Sequence, residues 1–144
     1  MKDQDCKEYH YEIRRYGCYL KSLLKIKELI DGVDLSTVFV IDQFKKGKRN
    51  AYINEDCFIG NPDKVLKCVN NKNVYQIGKN NIFWGWVKNK YGDTPSVNFI
   101  ITEFETKNLN SHFIMTYPVY YDPANNKIEL TGIRKSEIYY RIFE

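Results

Sequence analysis

The residue vocabulary of this chain changes at about residue 73. Before it, apolar residues recur at helical intervals; after it, aromatic and β-branched residues come in short runs broken by Asn, Gly and Pro. Leu20, Leu23, Leu24, Ile26 and Ile30 lay an apolar stripe along a helix of residues 19–30, starting just after Gly17-Cys18, and Asp31-Gly32 supplies the glycine that follows many helix ends. A second helix is expected over residues 36–46 with Asp34 or Ser36 as its cap, although Thr37-Val38-Phe39-Val40-Ile41 also suits a strand. Asn61-Pro62-Asp63 is a strong start for a third helix over residues 62–69, because Asn caps, Pro fits the first turn and Asp complements the positive helix end. Strands are expected over residues 74–77, 82–87, 96–104, 112–116, 119–121, 127–130 and 138–143. Helices first and strands after imply an α+β fold, with N-terminal helices packed on a C-terminal antiparallel β-sheet.

The chain has 144 residues and neither a Pro/Gly/Ser linker nor a fixed-period repeat, so a single domain over residues 1–144 is expected. Its 43% hydrophobic and 28% charged composition excludes a disordered or collagen-like chain. The net charge of +4 is spread along the sequence apart from Lys45-Lys46-Gly47-Lys48-Arg49, a short cluster without interleaved aromatics. That pattern reads as a solvated basic loop and argues against a nucleic-acid partner. Residues 1–20 lack the apolar core of a signal peptide, and no later stretch approaches the ~18 apolar residues of a membrane span, so a cytoplasmic location is expected. In that setting Cys6, Cys18, Cys57 and Cys68 should stay reduced and form no disulfide framework. They contain no C-x-x-C spacing, and only His10 and His112 could add imidazole, so no structural metal site is expected.

Chemistry concentrates at Cys18. A thiol at the first turn of a helix lies beside unpaired backbone N–H groups and the positive helix end, which favour the thiolate a cysteine nucleophile needs. The plain alternative is a small buried cysteine at a helix–sheet junction. His112 opens the apolar strand Ser111-His112-Phe113-Ile114-Met115, and an imidazole brought to Cys18 by the fold could take the thiol proton and return it to a leaving amine. Asp122, in Tyr121-Asp122-Pro123, could hold that imidazole in the required tautomer. On a straight strand it would lie ~33 Å away, so a reversal near Tyr117-Pro118 is required. A hairpin centred on residue 117 would set Asp122 opposite His112 on one face. Equally, Asp122 could serve only as the cap of the following turn.

The order Tyr16-Gly17-Cys18-Tyr19-Leu20, Ser111-His112-Phe113-Ile114, Tyr121-Asp122-Pro123 resembles the papain-like superfamily of cysteine peptidases and amidases, particularly its C39-like and phage-lysin-like branches. Together with Asp56-Cys57-Phe58-Ile59, Asn61-Pro62 and Tyr140-Arg141-Ile142-Phe143, it also looks like a plasmid- and prophage-borne spirochaete (Borrelia-type) family without assigned function. The resemblance implies a papain-like fold, Cys18 as nucleophile, His112 as base and acid, Asp122 as its orienter, and no cofactor. It implies a peptide or peptidoglycan-like substrate, with release by lysis if that substrate is the cell wall.

Members of the superfamily usually carry a glutamine a few residues before the cysteine that completes the oxyanion hole; here the nearest one upstream is Gln4, fourteen positions away. Gln4, His10 or the Cys18 backbone N–H are the candidates for that role. Trp84, Trp86 and Tyr19 are candidate substrate-binding walls, against the alternative that Trp84 and Trp86 are ordinary sheet residues sharing one face. Two functions from different classes follow: a thiol hydrolase acting through a Cys18 acyl-enzyme, and a non-catalytic binding module on the same scaffold.

Overall fold

A computed structural model describes residues 1–54, 59–69, 73–82, 85–88, 96–108 and 110–143. Its first helix, α1 (Tyr11–Tyr16), is absent from the sequence expectation, and the reason is local: only Ile13 of its six residues is buried, so no apolar stripe announces it. The helix α2 (Cys18–Asp31) follows after one residue, Gly17, and ends at Gly32, whose φ of 67° is the left-handed conformation expected of a glycine there. A Cβ on Gly17 would stand 2.5 Å from the carbonyl oxygen of Ile13, so the tight joint between α1 and α2 admits only glycine.

The helix α3 (Thr37–Arg49) decides the ambiguity at residues 37–41. Ser36 caps it, its hydroxyl accepting the Phe39 N–H at 3.1 Å, and Val40, Phe44 and Gly47 turn inward at helical spacing. The cap and the tertiary packing outweigh the β-branched run. The helix α4 (Pro62–Val69) starts where Asn61-Pro62-Asp63 predicts, with Asn61 Oδ1 accepting the Lys64 N–H at 3.3 Å. Asp63 accepts the Gln76 N–H at 2.9 Å and so ties α4 to the first strand.

Five strands follow: β1 (Asn73–Asn81), β2 (Gly85–Lys88), β3 (Phe99–Thr106), β4 (Ser111–Tyr117) and β5 (Leu130–Phe143). They form one antiparallel sheet in the order β2-β1-β5-β3-β4. Helices before and a C-terminal antiparallel sheet after make the fold α+β, as the change of residue vocabulary implies. Two strand expectations need correction. Residues 119–121 contribute only an isolated bridge, Tyr121 to Met115, because two left-handed residues, Asn125 and Asn126, turn the chain away soon afterwards. Residues 127–129 precede β5, which runs on from Leu130 through an exposed stretch, residues 131–134, too polar to read as a strand.

The core lies between the helices and one face of the sheet. Leu20, Leu23, Leu24 and Ile26 of α2 are fully buried against Ile101, Met115, Ile138 and Tyr140, among others. Each such side chain contributes roughly 1.5–3 kcal/mol by leaving water. Over β4, Tyr19 stacks on Phe113 with ring centroids 4.5 Å apart, and the Ser22 hydroxyl donates to the Phe113 carbonyl at 3.2 Å. These contacts set the N-terminal turn of α2 over the start of β4. Among the described residues no helix is long and apolar enough to cross a membrane.

The joint at Gly17 is testable by urea unfolding. Gly17→Ala should lose about 1–3 kcal/mol of stability, as overpacking against backbone does, whereas Gly60→Ala, where a Cβ meets nothing within 4 Å, should change it little. Equal effects from the two substitutions would contradict the steric account.

Candidate active site

Cys18 is the first residue of α2 and is 6% exposed as a free thiol. His112, the second residue of β4, is 1% exposed. The docking of α2 on β4 brings the two together: the thiol lies near enough to the imidazole to favour its charged form, and both line one cleft of about 740 Å³, within the size range of small-ligand sites. The opposite edge of the imidazole meets Asp122, with Nε2 and Oδ1 2.6 Å apart. Because Nε2 is taken by the carboxylate, Nδ1 is the nitrogen left to face sulfur.

Asp122 does not sit where a hairpin centred on residue 117 would put it. The bridge between Met115 and Tyr121, with reciprocal bonds of 3.0 and 2.8 Å, centres the reversal on Pro118 and makes Asp122 diagonal to His112 rather than opposite. Diagonal neighbours on one face are still within reach of side chains of this size. The carboxylate also caps the turn after it. Oδ1 accepts the Ala124 N–H at 2.9 Å and Oδ2 the Asn126 N–H at 3.0 Å. The two readings of Asp122, imidazole partner or turn cap, are therefore both true of one side chain: the turn fixes the carboxylate, and the carboxylate holds the ring.

Electrostatics follow from this packing. Burial alone would depress the His112 imidazolium, but the hydrogen bond it donates to Asp122, the proximity of Cys18 and the attraction of their charges outweigh it and push its pKa up to about 9. Burial likewise works against the Asp122 carboxylate, yet the His112 bond, the two backbone N–H donors and the imidazolium charge hold its pKa below the usual value. With the Asp122 side chain 4% exposed, the pair is a buried ion pair with most of its lone pairs and protons satisfied.

The other expected site residues are distributed unevenly. Tyr19 lines the cleft, stacked on Phe113 and hydrogen-bonded through its hydroxyl to that of the fully buried Tyr140. Gln4 is 2% exposed, but its amide donates to the Arg14 carbonyl at 3.2 Å and its backbone N–H to the Pro123 carbonyl at 2.7 Å; it is not among the cleft's lining residues. His10 occupies the N-cap position of α1, makes no side-chain bond to its first turn, and lies beside the Phe44 ring. Trp86, on β2 at the far edge of the sheet, packs beside Tyr139 with ring centroids 5.2 Å apart and over Gly78, away from the cleft. Trp84 and Cys57 lie outside the described residues, as does the side chain of Cys68.

The structure adds lining residues that sequence reasoning missed. Gln76 and Lys79 come from β1, Glu103 and Thr106 from β3, and Arg15 from the end of α1. Strand alternation could have put Gln76 and Lys79 on one face only once the bulge between Gln76 and Gly78 was known, since that bulge restores them to the same side.

Comparison with known proteins adds family membership. The model of the DUF261 family, described as proteins of unknown function, matches residues 1–143, and the chain belongs to that family. No curated protein and no solved structure matches it.

The ion pair makes stability depend on pH with a defined sign. His112, raised in the folded state, contributes stability fully present below its unfolded pKa of ~6.5 and lost as pH rises through about 9. Asp122, lowered in the folded state, contributes stability present above its unfolded value and lost as pH falls through the folded one. Between pH 6.5 and 9.5 the native chain should lose on the order of 2–3 kcal/mol more than His112→Gln in urea unfolding. Parallel pH profiles for the two proteins would contradict it.

Proposed function

We propose that the chain is a thiol hydrolase, a cysteine peptidase or amidase that cleaves a peptide or amide bond through a Cys18 acyl-enzyme. The observation that carries this reading is the contact of Cys18 with one edge of a buried imidazole whose other edge is held 2.6 Å from Asp122, at the wall of an open cleft. In chain order, nucleophile at a helix start, histidine on a strand and carboxylate after it, the three residues follow the papain-like pattern their sequence motifs resemble. Among substrates, that resemblance points to peptides, including the stem peptides of cell walls.

The chemistry follows from the three groups. His112 Nε2–H donates to Asp122 Oδ1, so Nδ1 accepts the Cys18 proton and the resulting thiolate and imidazolium stabilise each other. Sulfur attacks the scissile carbonyl, whose π electrons move to oxygen. The tetrahedral intermediate collapses as Nδ1–H protonates the departing amine, which leaves a Cys18 thioester and a neutral imidazole. Water then attacks the thioester, giving its proton to Nδ1, and the acid leaves as the thiol is restored. Asp122 keeps its charge throughout, holding the ring and favouring the imidazolium. The Cys18 backbone N–H, at the helix start, is the donor assigned to the oxyanion.

A second reading rests on Gln4. Its side-chain amide, the group the resemblance would use to complete the oxyanion hole, is engaged with the Arg14 carbonyl instead. Loss of one such donor costs about 2.7–4 kcal/mol of transition-state stabilisation in a comparable hydrolase, enough to leave a binding module on a hydrolase scaffold.

An N-acetylalanine p-nitrophenyl ester distinguishes the two. The hydrolase reading expects a burst of nitrophenol, one equivalent per chain, with the acetylalanyl adduct on the Cys18 peptide by mass spectrometry. Cys18→Ala should abolish it, and His112→Ala should slow acylation about 10²–10⁴-fold. Asp122→Ala should slow it as well, with partial recovery in Asp122→Asn, whose carbonyl can still accept from Nε2. Absence of an adduct on Cys18 in the folded native chain would leave the binding module as the reading.

A further inference from the structure

The cleft beside Cys18 has an unequal charge balance. Its described lining residues include one carboxylate, Glu103, and two side-chain cations other than His112, Arg15 and Lys79. Glu103 is already matched. Its Oε1 accepts from the Ser136 hydroxyl at 2.9 Å, and Oε2 lies 3.7 Å from Lys135 Nζ, which also donates to the Ser111 hydroxyl at 2.8 Å.

The two lining cations have no such match. Among the described residues Lys79 has no carboxylate partner. Arg15 donates to the Tyr11 hydroxyl at 2.6 Å and lies over the Tyr16 ring, 5.5 Å from its centroid, so its guanidinium is held at the rim by neutral groups. Aromatic support fixes the direction of this cation without spending its charge.

Position relative to the nucleophile gives these charges meaning. Arg15 precedes Cys18 by three residues across the Gly17 joint, roughly one helical turn, or about 5 Å along the axis. Lys79 lies on β1, three strands across the sheet from β4, and its row meets β4 at Met115, three residues from His112, so the two backbones are roughly 17 Å apart at the usual strand spacing and rise. An extended peptide of about four residues covers roughly 13 Å, and the reach of the lysine and a substrate carboxylate side chain closes the rest of that span.

Resting on the thiol-hydrolase reading, we propose that the substrate is an anionic peptide. One carboxylate, close to the scissile amide, pairs with Arg15, and a second, about four residues along the chain, pairs with Lys79. Arg15 and Lys79 then select acidic over neutral peptides. The remaining lining supports a peptide rather than a compact anion: Tyr16, Ile59, Pro62 and Ile128 give apolar contact, and Gln76, Asn108 and Asn110 offer amides for a peptide backbone.

The test compares two affinity labels of equal size, acetyl-Glu-Ala-Ala-Glu and acetyl-Gln-Ala-Ala-Gln chloromethyl ketones, on the full chain. Modification of the Cys18 peptide is followed by mass spectrometry, and iodoacetamide serves as the uncharged control reagent. The acidic label should react about tenfold faster than its amide twin at low salt. Arg15→Gln and Lys79→Gln should each reduce that ratio about threefold, and 0.5 M sodium chloride should reduce it in the native protein as well. Equal rates for the two labels, or a preference that survives both substitutions, would overturn the anionic-substrate assignment while leaving the hydrolase reading intact. A Cys18 inert to iodoacetamide in the folded chain would overturn the hydrolase reading and this assignment with it.

Discussion

The site depends on how α2 is seated on β4. Four fully buried aliphatic side chains drive that contact, and the Tyr19–Phe113 stack and the Ser22 bond to the Phe113 carbonyl fix its register. Slide α2 by one turn and Cys18 moves about 5 Å, out of reach of the imidazole. Gly17 matters for the same reason from the other side. It lets α1 close against α2 with no Cβ between them, which sets both the start of α2 and the place of Arg15 at the rim.

A second layer holds the imidazole from behind. The turn after Tyr121 gives two backbone N–H groups to Asp122, and Asp122 gives an oxygen to His112. The N-terminal arm closes over this turn through the bond from the Gln4 N–H to Pro123 and the ion pairs of Lys127 with Asp3 and Asp5. Those exposed pairs add little stability. Their consequence is positional, because the arm covers the loop that carries the carboxylate.

Much of this was legible in the sequence, and what was not has identifiable causes. The boundaries at Gly32, Ser36 and Pro62 follow from capping chemistry, which is local and survives folding unchanged, while the start of α2 after Gly17 follows from its apolar stripe. Residues 11–16 were missed because a six-residue helix burying only Ile13 has no periodic pattern to read. Membership of Asp122 in the cluster could be argued, but its register could not, since one bridge at Met115 and Tyr121 decides it. Gln4 and Trp86 show the limit of choosing site residues by type: each has the right chemistry, yet one is drawn to the Arg14 carbonyl and the other packs on Gly78 at the far edge of the sheet. Arg15 and Lys79 were silent in the sequence because their shared cleft is assembled from elements more than sixty residues apart.

The central claim is that Cys18, His112 and Asp122 behave as one coupled unit, and the most direct test is the titration of the His112 Cε1 proton by NMR. The account predicts a midpoint near 9, well above that of a solvent-exposed imidazole, falling toward ~6.5 or below in both Cys18→Ala and Asp122→Asn. A midpoint near 6.5 in the native chain, unmoved by either substitution, would contradict it.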